Sequence, residues 1–69
     1  MIKGRLNFEI KKKREQKNLS QVEACQELGV SYVTYSKLEN NPKYKPSYKT
    51  INAIAKWLEV SVEEVRSWL

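Results

Sequence analysis

Apolar residues recur along the chain at spacings of three and four, bracketed by residues that start or stop helices. Leu6 and Ile10 stand four apart among charged residues, which predicts a first helix over 5–17. Lys17-Asn18 closes it, because Asn is tolerated in the left-handed conformation that often follows a helix. Ser20 with Glu23 three residues later forms a capping box. Val22, Ala24, Cys25 and Leu28 then supply an inner face, and Gly29 marks the end of a short helix over 20–28.

Residues 29–41, GVSYVTYSKLENN, pose a conflict. Val30, Tyr32, Val33, Thr34 and Tyr35 favour strands. Ser31, however, is an N-cap candidate, and Tyr35 and Leu38 share an inner face with Val30 packing at its start. A strand here has no second β-rich run with which to pair. The helical reading, 31–40, therefore overrides propensity. Both prolines fall in the loop that follows. Ser47 caps a helix over 47–58 with Ile51, Ile54, Ala55 and Leu58 at helical spacing. Ser61 with Glu64 is a second capping box, and it opens a last helix over 61–68 that sets Val62, Val65 and Leu69 at helical spacing. The expectation is an all-α fold, a compact five-helix bundle forming a single domain over 1–69, without repeats or linkers.

A chain of 69 residues needs most of its apolar side chains for packing. One Cys excludes an internal disulfide framework, and there is no His, the commonest general base and metal ligand. With Cys25 expected in the core and no convergent acid–base pair, the residues point away from an enzyme, a metal or a cofactor. No apolar run approaches a membrane span and no signal peptide opens the chain, so a cytoplasmic protein is expected. The net charge is +5, and it is uneven. Residues 1–50 hold eleven Lys/Arg against five Glu, whereas residues 51–69 hold two against three. A basic front suits a polyanion partner; a merely solubilising surface is the alternative. The run KKKR at 11–14 reads mainly as a solvated face.

Two helices at 20–28 and 31–40, separated only around Gly29, make a helix-turn-helix. The stretch LSQVEACQELGVSYVTYSKLENN resembles the helix-turn-helix of the Xre/Cro/repressor family of bacterial and phage regulators. The likeness extends from Leu6 through LEVSVEEV at 58–65, with LSQ at 19–21, LGVS at 28–31, LEN at 38–40 and Pro46 in register. The resemblance implies that the third helix lies in the major groove, with Tyr32, Val33, Ser36 and Lys37 facing base edges. Lys37 would donate to guanine and Val33 would pack on a thymine methyl. Tyr32 reads alternatively as an ordinary surface or packing tyrosine. Ser20, Gln21, Ser31, Asn40, Lys43 and Lys45 would meet the DNA backbone, and Gln21 would also buttress the recognition helix. Arg14 and Glu39 would form a structural ion pair. Tyr35 is expected in the core, where related proteins commonly hold an aliphatic residue.

The chain departs from the family after Asn40, where Asn41 and Pro42 replace the usual Gly. Proline pushes its predecessor toward extended conformations, so a different loop path is expected for Lys43 and Tyr44. The implied function is a sequence-specific regulator of double-stranded DNA, Cro-like and a repressor. It would bind as a homodimer to a symmetric operator and need no small-molecule ligand. The alternative is a protein-interaction module on the same scaffold, such as an antitoxin or a regulator-binding factor. Trp68 and Leu69 are candidates for the dimer surface; folding of Trp68 back onto the last helix is the other possibility.

Overall fold

The computed structural model describes residues 5–69; residues 1–4, which the expected domain includes, lie outside the described residues. Five helices follow one another: α1 Arg5–Gln16, α2 Gln21–Leu28, α3 Tyr32–Asn40, α4 Tyr48–Leu58 and α5 Val62–Ser67. No strand occurs among the described residues.

Three of the four connections use the same device. Asn18, Gly29 and Glu59 each adopt the left-handed conformation, with φ of 55°, 77° and 60°. The next residue is apolar in each case (Leu19, Val30, Val60), and its N–H returns to the carbonyl of Arg14, Cys25 or Ala55. These are Schellman closures, and each apolar residue packs against the core. A serine follows every time. Ser20, Ser31 and Ser61 accept from the amides of Glu23, Thr34 and Glu64. A left-handed stop, an apolar plug and a serine cap thus turn the chain in three residues, and each cap contributes about 1 kcal/mol.

The capping box at Ser20 is complete, since the Ser20 amide also donates to Glu23 Oε1 at 2.8 Å. At Ser61 only the hydroxyl half forms, through the Glu64 amide at 3.0 Å, so the second expected box is a simple serine cap. The fourth connection differs. Asn41 is extended at φ −115°, ψ 99°, as its proline neighbour requires. Its side chain accepts from the Lys43 amide and its carbonyl from the Tyr44 amide, and Pro46 is buried before Ser47 caps α4.

The core gathers one face from every helix: Leu6 and Ile10, Ala24, Cys25 and Leu28, Tyr35 and Leu38, Ile51, Ile54 and Ala55, Val65 and Trp68. Two expectations change here. Val22 is 51 % exposed and belongs to the outer face of α2. The inward row is Gln21, Ala24, Cys25 and Leu28, the i, i+3, i+4, i+7 series, with a polar residue at its head. Trp68 is buried in the core beneath the Arg5 guanidinium of α1, 5.3 Å from its ring centroid, rather than free on the surface; Leu69 is left 43 % exposed.

Candidate nucleic-acid interface

Helix α3 packs against both α1 and α2, and its two faces have separate duties. Tyr35, Leu38 and Glu39 point inward and are buried. Val33, Ser36, Lys37 and Asn40 form an outward row at i, i+3, i+4 and i+7, with Tyr32 beside it at the helix start. Val33 is 63 % exposed and Tyr32 49 %. An isolated nine-residue helix of this composition is marginal, so its orientation depends on the inner face.

A polar network fixes that face. Arg14 of α1 donates from Nε and Nη2 to the two carboxylate oxygens of Glu39, each at 3.0 Å. Its Nη1 donates to the Leu19 carbonyl at 3.1 Å, in the turn between α1 and α2. Gln21 donates through Nε2 to Glu39 at 3.1 Å and accepts at Oε1 from the Tyr32 hydroxyl at 3.1 Å. One chain of contacts therefore runs Arg14–Glu39–Gln21–Tyr32 and ties three helices together. Asn7 adds a bond from α1 to the Leu38 carbonyl near the end of α3.

The electrostatics follow from burial and pairing. Burial pushes the Glu39 carboxyl up, but Arg14, with Tyr35 and Gln21 beside it, outweighs this and holds it below the ordinary range. The bond to Glu39 raises the Arg14 guanidinium further against a smaller loss from burial. Burial, with the carboxylate nearby, pushes the Tyr35 phenol well up, so it stays neutral. Its hydroxyl is buried without a hydrogen-bond partner among the described residues.

Other expected site residues take these places. Ser20 and Ser31 are exposed, and each spends its hydroxyl oxygen on a cap; Ser31 also donates to Thr34 Oγ1 at 3.0 Å. Asn40 donates to Ser36 Oγ at 3.3 Å, which links two members of the outward row. Lys43 and Lys45 are exposed in the loop after α3. The Lys37 ammonium lies 5.6 Å from the centroid of Tyr44. The KKKR run divides: Lys11 and Lys12 are exposed, whereas Lys13 pairs with Glu59 at 3.5 Å and Arg14 with Glu39. Only Arg14 of that run is held in a buried pair.

Positive charge without a carboxylate partner concentrates elsewhere. No acidic residue occurs from Asn40 to Leu58, and Lys37, Lys43, Lys45 and Lys49 are all exposed with no ion pair among the described residues. Lys49 was not singled out from the sequence, although the missing acidic residues around it were the signal. This surface offers methyl groups, hydroxyls, an amide and cations along one helix and its following loop. No described helix is long and apolar enough to cross a membrane.

Two short helices joined by Gly29-Val30-Ser31, the second with a buried face and a free one, define a helix-turn-helix domain. A family model described as helix-turn-helix matches residues 10–65. The chain belongs to the Xre/lambda-repressor-like helix-turn-helix family, whose members are DNA-binding regulators. A search of curated proteins and one of solved structures returned no match.

Proposed function

We propose that the chain is a sequence-specific, Cro-like repressor that reads the major groove with α3 and binds a symmetric operator as a homodimer. The observation that carries this reading is the outward row of α3, with Lys37 in it and Lys43, Lys45 and Lys49 beyond it, cations that have no ion pair among the described residues. Lys37 is suited to guanine O6 or N7, Val33 to a thymine methyl, and Tyr32 and Ser36 to mixed polar and apolar contacts, with Asn40 at the end of the row nearest the DNA backbone. Lys43 and Lys45 supply phosphate affinity without sequence information. The polar chain through Gln21 aims Tyr32, so Gln21 serves the reading helix while its backbone stands at a helix start suited to a phosphate.

Dimeric binding follows from reach. Nine residues of helix are about 13 Å long and meet about four base pairs. So short a word recurs every few hundred base pairs, and a second copy one helical turn away makes the site rare. Repression requires only that the bound protein occupy a promoter.

The test is selection from a randomised duplex pool at near-physiological salt, with the retained DNA sequenced. Paired half-sites about one helical turn apart support the proposal. A single enriched half-site would remove the dimer from it. Binding without enrichment that vanishes as salt rises would refute it and direct attention to a protein partner.

A further inference from the structure

The lysine expected to read a base has four rotatable bonds and several phosphates within reach, so something must aim it. In this chain the neighbour is unusual. The loop after α3 turns through Asn41-Pro42, with the Asn41 side chain and carbonyl holding the Lys43 and Tyr44 amides at 3.0 and 3.1 Å. That path brings the Tyr44 ring, half-buried against the core, to 5.6 Å from the Lys37 ammonium. Tyr44 packs against the core at the edge of a shallow hollow that it borders together with Leu6, Leu38, Pro42 and Trp68, which restricts the ring. Lys37 itself remains exposed.

We infer that Tyr44 is a positioning residue for Lys37: its ring face holds the ammonium beside the outward row of α3 and thereby sharpens base choice. The inference rests on the groove-reading role of Lys37. Magnitudes distinguish aiming from withholding. A cation over an exposed aromatic face is favoured by about two- to five-fold. A good bidentate pair on a base edge discriminates by about five- to a hundred-fold. An exposed ammonium over the ring can keep that contact while it donates to a base edge, but gives it up on moving to a phosphate, so the preference of about two- to five-fold adds to the matched complex alone. Without the ring, the ammonium sweeps to phosphates, and non-specific binding persists while discrimination falls.

The experiment uses the full chain and its selected duplex, with each base pair replaced in turn and affinities measured by competition. Tyr44→Leu retains an apolar side chain against the core and removes the ring face; Tyr44→Phe retains the ring. The expected result is a loss of about two- to five-fold in discrimination at one base pair for Tyr44→Leu, at the pair where Lys37→Ala also loses it. Salt dependence on the selected duplex stays unchanged, and Tyr44→Phe behaves as the parent. A sequence-selective parent with an equally or more selective Tyr44→Leu overturns this inference alone. A parent that prefers no sequence overturns it together with the regulator reading. Should Tyr44→Leu fail to fold, the parent's own NMR spectrum decides. Lys37 ε-methylene protons shifted upfield of the other lysines by the ring support the pairing, and protons at the ordinary lysine position overturn it.

Discussion

Replacing Arg14 with Met gives a direct test of how α3 is held. The Glu39 side chain is 3 % exposed and that of Arg14 16 %, so the pair is removed from bulk water. Arg14→Met strands a buried carboxylate and leaves the Leu19 carbonyl without its donor. Breaking a buried pair from one side costs about 3–5 kcal/mol. A chain of this size has about 3–10 kcal/mol of total stability, so the variant loses about a third of it or more. The double variant Arg14→Met, Glu39→Gln removes the charge yet retains an acceptor for Gln21, and about 2 kcal/mol or more of the loss should return. Urea denaturation followed by far-ultraviolet circular dichroism measures all three proteins. The pH dependence has a definite sign. The Glu39 carboxyl is held below its unfolded value in the parent, so its stabilisation is present above the ordinary carboxylate range and disappears as pH falls through the lowered value. In Arg14→Met the unpaired, buried carboxyl is raised instead, so acidification relieves the variant before it harms the parent. The stability gap must therefore narrow from pH 7 toward pH 4. A loss under about 1 kcal/mol at pH 7, or a gap that does not narrow, would refute a buried charge pair as the anchor of α3.

Glu59 occupies a left-handed position at φ 60° that costs a side-chain residue about 1–2 kcal/mol. Glu59→Gly relieves this against a smaller entropic cost and a weak, exposed contact with Lys13. The melting temperature should rise by about 3–6 °C in a thermal scan. Gly29→Ala should have the opposite sign. Nothing lies within 4 Å of an added Cβ, so its loss of about 1 kcal/mol in the same scan is purely conformational. On DNA, Lys37→Ala should relax base choice at one position, whereas Lys45→Ala should weaken binding to all duplexes equally and reduce the salt slope by about one. Identical behaviour of these two variants in competition binding would remove Lys37 from the reading face.

Much of the fold was legible because its stops are local. Asn18, Gly29 and the serine caps act within three or four residues, and their chemistry can be read without knowing what the helices touch. Glu59 in a left-handed turn was less visible, since only the repeated pattern of an apolar residue followed by serine discloses it. Val22 was misplaced because an eight-residue helix has about two turns, too few for spacing alone to fix the inner face. Counting from Leu28 backward by three, four and seven selects Cys25, Ala24 and Gln21, but nothing local says that a glutamine belongs inside. Its place depends on Glu39, 18 residues away, and on Tyr32. The Lys37–Tyr44 approach was hidden for a related reason. Proline at 42 predicted an extended Asn41, but where the loop lands depends on the core surface against which Tyr44 packs.

The sequence conflict in α3 resolves by magnitude. Tyr32, Val33, Thr34 and Tyr35 together cost a helix about 2–3 kcal/mol relative to alanine. The Ser31 cap returns about 1 kcal/mol, and burying Leu38 contributes about 1.5–3 kcal/mol, whereas the gain from the Tyr35 ring is offset by its unpartnered hydroxyl, at about 1–3 kcal/mol. The cap and Leu38 therefore offset the propensity cost, and the polar network through Arg14 and Glu39 supplies the margin. Tyr32 and Val33 contribute little to that margin, since both remain largely exposed. They are free to be poor helix formers because α3 does not need them to fold. The consequence for function is a division of labour within nine residues. Tyr35, Leu38 and Glu39 decide how the helix is presented, and the outward row can change what is read without changing how it is held.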